Sequence, residues 1–434
     1  MVRRKFFIQS HFLLGILYLI PTFAMAQGLT LQNAVEEAKE RNPNLRRVRA
    51  AHEESSWKPL EALSGHIPKV SVTGNHLFDV KYQVINISPT TSFQALYPKT
   101  ILSLGATWTV FDGFQTWDAY SAAKLNEEAS ALELSRVELQ IEEDVRLKFY
   151  QALGAQVLSQ VAEQNLKTLS DHLNQAKSLL KEGQATRFDI LRTQVQLEEA
   201  GPEKIAADDN VVLARAALAQ AMGFEVDPRP LEGALPVPVE TAFARDLKLN
   251  PQDRTDLEAL VRRSEASEKL SHGSASYWYP KISLIAQKEV YNNINYAIGD
   301  SEPFRGAHSI GIGLSWNIFD GGASYSRQKQ SGFQKEQAEA IASAARLKAP
   351  NEFEFWKRRY FYNVALYHAR QRASESARET VRLATIGFGA GSRTNTDILD
   401  TDLDLFRAQA GVIRAQVDAA EAKINLELAL GRKL

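Results

Sequence analysis

The chain carries one six-residue word twice, as Trp108-Thr-Val-Phe-Asp-Gly113 and as Trp316-Asn-Ile-Phe-Asp-Gly321. Each copy closes a run in which apolar and polar residues alternate. Each opens a long run of helical periodicity. A switch of hydrophobic period from 2 to about 3.6 marks a joint between strand and helix. Two such joints make the chain a duplicated unit: a first repeat over 27–223, a linker over 224–250 holding Pro228, Pro230, Pro236 and Pro238, and a second repeat over 251–434. The repeats share another word, since Ile67-Pro-Lys-Val-Ser-Val72 is answered by Tyr279-Pro-Lys-Ile-Ser-Leu284.

Residues 1–26 have the anatomy of an export signal. Arg3, Arg4 and Lys5 precede an apolar stretch from Phe12 to Ile20, and Ala24-Met-Ala26 predicts cleavage ahead of Gln27. That stretch is too short to span a bilayer as a helix, and no later segment is an unbroken apolar run of the roughly 18 residues a spanning helix needs. Any membrane span of this exported chain is therefore expected to be β. The absence of cysteine removes disulfides and a lipidated N-terminal cysteine alike. Lys and Arg number 51 against 52 Asp and Glu, a balance that argues against a nucleic-acid partner. The eight His are scattered without metal-ligand spacing, and Gly311-Ile-Gly313 lacks the third glycine of a nucleotide loop. No Ser/His/Asp set stands out, so no enzyme, cofactor or metal site is expected.

Residues 29–65 read as a helix broken at Asn42-Pro43. A β-hairpin follows over about 68–111. Val70, Val72, Gly74, His76, Phe78 and Val80 share one face, and a polar loop holding Pro89 and Pro98 leads to the face of Leu102, Leu104, Ala106, Trp108 and Val110. Asp112 is suited to the N-cap of the next helix, whose seam Leu166, Leu169, Leu173, Ala176, Leu180 has heptad spacing. A helical tip falls at about 181–189. The second repeat follows the same order, with a hairpin over about 280–319, the strand face Ile310, Ile312, Leu314, Trp316, Ile318, and a tip at about 387–397. Its long helix carries Pro350 and an aromatic cluster from Phe353 to Tyr362. The last helix has the seam Leu399, Leu403, Phe406, Ala410, Ile413, Val417, Ala420, Ile424. Four strands of roughly ten residues, each with one apolar face, fit membrane-spanning β-strands. Four strands cannot close a barrel, and open edges in lipid are prohibitive. The chain must then oligomerise, with the long helices packed beneath the barrel.

In this order, the signal segment, the paired Pro-Lys strand starts, the two Phe-Asp-Gly joints and the glycine-containing tips resemble the TolC-type outer-membrane efflux protein family over essentially the whole mature chain. The resemblance implies a mainly α fold with a transmembrane β-barrel contribution. It also implies a homotrimer with a twelve-stranded barrel and an α-helical periplasmic tunnel. Such a channel sits in the outer membrane of a Gram-negative cell. It acts as the passive exit duct of a tripartite efflux pump or type I secretion system, with a periplasmic adaptor and an inner-membrane pump or ABC exporter as partners.

Read from the residues alone, Asp397, Asp400 and Asp404 share a helical face and complement the dipole at a helix start. The resemblance places Asp397 and Asp400 on the family's two entrance aspartates, stacked rings at a periplasmic mouth. Mutual repulsion would raise some of their pKa values, and the rings would favour cations and divalent-ion block. Asp404 is outside that pattern. The first repeat has Asp189, Arg192 and Gln196 at the matching places. Arg393 matches the family's tip arginine, and Asp189 the aspartate it bridges on a neighbouring protomer. Gly183, Gly389 and Gly391 are expected to make the tight turns, and in the family these tips also engage the adaptor. Trp108, Trp316, Tyr277, Trp278 and Tyr279 suit a membrane–water interface. The competing reading is a periplasmic coiled-coil adaptor or structural protein without a membrane barrel.

Overall fold

The computed structural model describes residues 28–78, 83–95, 99–239, 247–292, 294–295, 300–301 and 305–434. The expected signal segment, Val80 and Pro98 lie outside them. The first repeat comprises α1 (Leu31–Arg41), α2 (Pro43–Leu63), strands β1 (Lys69–His76), β2 (Gln83–Ser88), β3 (Thr91–Ala95) and β4 (Thr100–Phe111), then α3 (Gln115–Lys181) and α4 (Arg187–Met222). The second comprises α5 (Thr255–Gly273), β5 (Lys281–Asn292), β6 (Ile294–Asn295), β7 (Asp300–Ser301), β8 (Arg305–Ser315), α6 (Ala323–Gly389) and α7 (Asn395–Leu430). Asn42 ends α1 and caps α2, its side chain accepting from the backbone N–H of Asn44 and Leu45. The long helices α3 and α6 each have 67 residues, about 100 Å at ~1.5 Å per residue. Among the described residues no helix is long and apolar enough to cross a membrane.

The sheet runs β1-β4-β5-β8, every neighbour antiparallel. The two hairpins therefore meet through β4 and β5, and β1 and β8 are left as edges. The register aligns Val70, Ala106, Ala286 and Ile310 in one row, Val72, Leu104, Lys288 and His308 in the next, and Gly74, Leu102, Val290 and Gly306 in the third. Ile312, Leu284 and Trp108 extend the same face toward the helices. The opposite face carries Thr73, Ser103 and Glu289 in one row and Ser71, Gly105, Gln287 and Ser309 in another. Among the described residues nothing covers the apolar face: Val70 is 68% exposed and Ile310 86%.

Three expectations need correction. The segment read as a polar loop holds β2 and β3, paired from Gln83↔Ala95 to Ser88↔Thr91. Its short β-branched runs pair across a turn at Pro89-Thr90. Second, β8 stops at Ser315, so Trp316 and Ile318 fall beyond the strand. In the first repeat β4 reaches Phe111 because β5 pairs with it as far as Ile282. An edge strand has no such template on its outer side. Third, Asp112 is not the N-cap of α3. Phe114 holds that place in a left-handed conformation, and Asp112 reaches forward to accept from the Thr116 N–H at 3.0 Å and its hydroxyl at 2.5 Å.

That first joint is built as a unit. The Trp108 indole donates to the His66 carbonyl at 2.8 Å. His66 Nδ1 lies 3.0 Å from the Thr109 carbonyl, and its Nε2 lies 3.7 Å from Asp112. Phe111, Phe114 and Tyr279 stack edge to face. Gly113, at φ +70°, passes so close to Ser276 that a Cβ would come within 2.7 Å of its carbonyl oxygen, so only glycine serves there. The second joint is looser. Asp320 caps Ser324 in the same way, at 3.0 and 2.6 Å, but Ile318 and Phe319 stand exposed.

The cores lie among the helices. Phe149, Leu45, Leu218 and Met222 fill one, with Leu231 and Leu235 of the Pro-rich linker packed against it. A second holds Leu247 with Phe353 and Tyr360 of the aromatic cluster, Val364 and Leu426. The described parts of the linker are therefore packed: Leu29 N–H donates to the Pro230 carbonyl and the Tyr360 hydroxyl to that of Val239. Between α3 and α7, fully buried Glu143 and Glu427 share Arg146, each at 2.6 Å. Burial pushes the Glu143 carboxyl up to about 7, against the pull of Arg146, and nearby Glu427 adds to the rise.

Because the folded pKa lies above the usual carboxylate value of 4.5, the folded chain keeps a proton that the unfolded chain has lost between those pH values. Stability falls as pH rises through that window, at up to about 1.4 kcal/mol per unit, and levels off above it. Glu143→Gln removes the dependence. Thermal unfolding in detergent should show the variant equal to the parent near about pH 5 and more stable near about pH 7.5. Equal pH dependence of the two proteins would contradict this.

Candidate functional site

The tips repeat a small device. In the first, Thr186 caps α4 and Asp189 closes a capping box, its carboxylate accepting from the Thr186 N–H at 2.9 Å and hydroxyl at 2.6 Å. In the second, Thr394 caps α7, and Asp397 accepts from its N–H at 2.8 Å and hydroxyl at 2.9 Å. Each box satisfies N–H groups that a helix start leaves unpaired. Gly183 and Gly391 take left-handed φ values of +74° and +73°, as the turns require. Gly389 does not: it is the last residue of α6, with nothing near a would-be Cβ.

The start of α7 is pinned to the first repeat. Leu399 is fully buried against Leu166 and Leu169 of α3 and Leu197 and Ala200 of α4. The Asn395 amide donates to the hydroxyl of buried Thr193 at 3.2 Å. Arg192 holds Asp400 at 3.1 Å. One turn further, His172 of α3 meets the buried carboxylate of Asp402 at 2.7 Å. These contacts orient the helix face that bears Asp397 and Asp400, which lie one turn apart. Asp404 remains exposed.

Hydrogen bonds from the Thr394 N–H and hydroxyl hold the Asp397 carboxyl below the usual carboxylate range, with nearby Arg393 adding to the effect. Within a single chain the direction is thus opposite to the rise that ring repulsion predicts. Arg393 has no carboxylate within ion-pairing distance among the described residues, and the chain does not bring it to Asp189. Its stem instead lies over Gly387, where a Cβ would come 2.6 Å from Arg393 Cγ.

Sequence reasoning missed two partners. Arg192 was visible only as a residue at a matching place, and its bond to Asp400 joins positions 208 residues apart. The His172–Asp402 pair spans 230 residues. Its one readable sign is that Asp402 falls a turn after Leu399, on the flank of the last helix's apolar seam, where a charge needs a partner.

The model of the family described as "Outer membrane efflux protein" matches residues 34–224 and 251–432. The outer membrane protein TolC of Vibrio cholerae is 22% identical over 429 residues, which is 95% of this chain and 95% of that protein. Among solved structures, CusC, studied for folding and transmembrane channel formation, superposes with a TM-score of 0.78 at 15% identity, over 93% of this chain and 92% of its own. The open state of the Neisseria gonorrhoeae MtrE outer membrane channel superposes with a TM-score of 0.75 at 20% identity, over 93% and 89%.

Thr394→Ala opens the capping box that holds Asp397 and should cost about 1 kcal/mol locally. Hydrogen exchange should show the first-turn amides of α7 losing protection while the core around Phe149 keeps it. Unchanged protection of that turn would show that the packing of Leu399, not the cap, sets the helix start.

Proposed function

The chain belongs to the outer membrane efflux protein family, and from that premise we propose that three copies close into one exit duct, gated at the helical tips. Family membership sets aside the reading as a periplasmic adaptor. The carrying observation is the sheet: four strands, two unsatisfied edges and one apolar face without cover. Lipid accepts the face but not the edges. Pairing β8 of one copy with β1 of the next satisfies every edge, and three copies give twelve strands, an even number typical of such barrels. Exposed Val195, Ile205, Val212 and Leu213 on α4 supply apolar surface for the same assembly below the membrane.

In the trimer, Asp397 and Asp400 form two stacked carboxylate rings at the periplasmic mouth. The rings attract cations and hold divalent ions, which block passage. Arg393, which has no ion pair among the described residues, reaches Asp189 of a neighbour and restrains the closed mouth. The duct consumes no fuel. A periplasmic adaptor seated at the tips around Gly183, Gly389 and Gly391, and an inner-membrane pump or ABC exporter, supply direction and choose the cargo. An open state has been captured for the MtrE channel, which supports a mouth with more than one setting.

Single-channel recording in planar bilayers tests the reading. Asp397→Asn with Asp400→Asn should weaken divalent-ion block about tenfold, equivalent to about 1.4 kcal/mol. Arg393→Ala should raise conductance. Unchanged block would remove the rings from the mouth, and unchanged conductance would remove the Arg393 restraint. A protein that forms no channels and is released by osmotic shock would overturn the duct itself.

A further inference from the structure

One row of the apolar sheet face is not apolar. Lys288 on β5 stands directly opposite His308 on β8, in the row that begins with Val72 and Leu104. The rows on either side are Val70, Ala106, Ala286, Ile310 and Gly74, Leu102, Val290, Gly306. Among the described residues neither side chain has an ion pair or a hydrogen bond, although both are exposed. The neighbouring charge, Glu289, faces the other way and is held there by Gln287 at 2.6 Å. A lysine on a lipid face is costly at the bilayer midplane and nearly free of cost near the interface. Its depth therefore matters.

The helices leave the sheet at the Phe111 and Lys281 end, so the far end, at Thr100 and Asn292, faces the outer leaflet. Lys288 is four residues short of Asn292. At ~3.3 Å per residue and a strand tilt near 40°, that is about 10 Å of height. A lysine stem bridges much of that distance by reaching toward the headgroups. The way is open: Gly306, two residues beyond His308 on the same face of β8, presents no side chain, and a Cβ there would meet nothing closer than the Glu289 carbonyl at 3.7 Å. A cation and a ring N–H thus lie side by side beneath a notch, about 10 Å below the strand end by strand rise and tilt, where a phosphate drawn down into the notch meets the upward-reaching lysine.

We propose that Lys288 and His308 form a lipid-binding site for the phosphate of an outer-leaflet lipid, whose acyl chains lie along Val72, Leu104 and Ile310. An ammonium and an imidazole N–H converging on one phosphate oxygen cluster form charge-assisted hydrogen bonds that an uncharged headgroup cannot match. The inference rests on the barrel reading only in that it needs this face in lipid.

Native mass spectrometry of the detergent-solubilised assembly, titrated with lipid A and with dephosphorylated lipid A, tests it. The parent should retain lipid A and discriminate against the dephosphorylated form. Lys288→Ala with His308→Ala should bind lipid A roughly tenfold more weakly, while Lys69→Ala, on the opposite face, should bind as the parent does. Lys288→Arg should keep binding, which separates lost charge from a damaged strand. Single-channel recording on the same preparations establishes that the channel itself is intact. Equal retention of lipid A by parent and double variant, or equal retention of the two lipids by the parent, would overturn the site.

Discussion

Everything in this chain follows from strand edges that cannot be left in lipid. β1 and β8 each have one hydrogen-bonded neighbour, and each presents a row of backbone donors and acceptors on its open side. In water such a row is tolerable. In hydrocarbon each unpaired group costs several kcal/mol. Two hairpins meeting at β4 and β5 make a sheet that is complete in the middle and incomplete at both ends. An assembly of identical copies is the economical cure, because the edge that one copy lacks is the edge that the next copy offers. The same symmetry then brings every tip to one axis, so the constraint at the sheet also places the charged residues about 100 Å away by helix rise.

The joints convert one kind of structure into the other, and they do so unequally. At the first, His66, Trp108, Asp112 and Thr116 form a connected polar set behind an edge-to-face aromatic cluster. At the second, Asp320 caps Ser324 and Arg327 reaches both, but Ile318 and Phe319 are bare. The inequality has a single origin. β4 is an interior strand, so the chain leaving it packs against the second hairpin's base at Ser276 and Tyr279. β8 is an edge strand, so residues 316–319 leaving it stand exposed, and the chain regains its own partners at Gln328 with Tyr277 and at Lys335 with Glu268. Sequence duplication therefore does not give structural equivalence, because the two hairpins occupy different places in the sheet.

The architecture was legible because it is written in periodicity. Alternation located β1, β4 and β8, the repeated Pro-Lys word located β5, and the heptad seam of the last helix located α7 with Leu399, Ala410, Ile413 and Ile424 buried as its spacing requires. The repeated Phe-Asp-Gly word marked both joints. What failed was local or long-range in kind. The ribbon of β2 and β3 was hidden by Pro89, which reads as a breaker but occupies the turn. The place of Asp112 was displaced by Phe114, whose left-handed backbone no pattern of residue types announces. The pairs Arg192–Asp400 and His172–Asp402 join the two repeats, and nothing within either repeat encodes which charge in the other will face it.

Those cross-repeat pairs change how the tip should be understood. The two candidate gate aspartates sit on one helix turn, yet they are held by different neighbours. Asp397 is bound to its own helix through Thr394, and its carboxylate oxygens serve the start of α7. Asp400 is bound across the repeats to Arg192, at the point where Leu399 anchors α7 against α3 and α4. An outward swing of α7 would leave the first contact intact and break the second, along with Asn395–Thr193 and His172–Asp402. The charge of Asp400, partly offset while Arg192 holds it, would then be presented uncompensated to the passage. In the proposed gate, the first repeat would hold the restraints through Arg192, Thr193 and His172, and the second would hold the acidic pair.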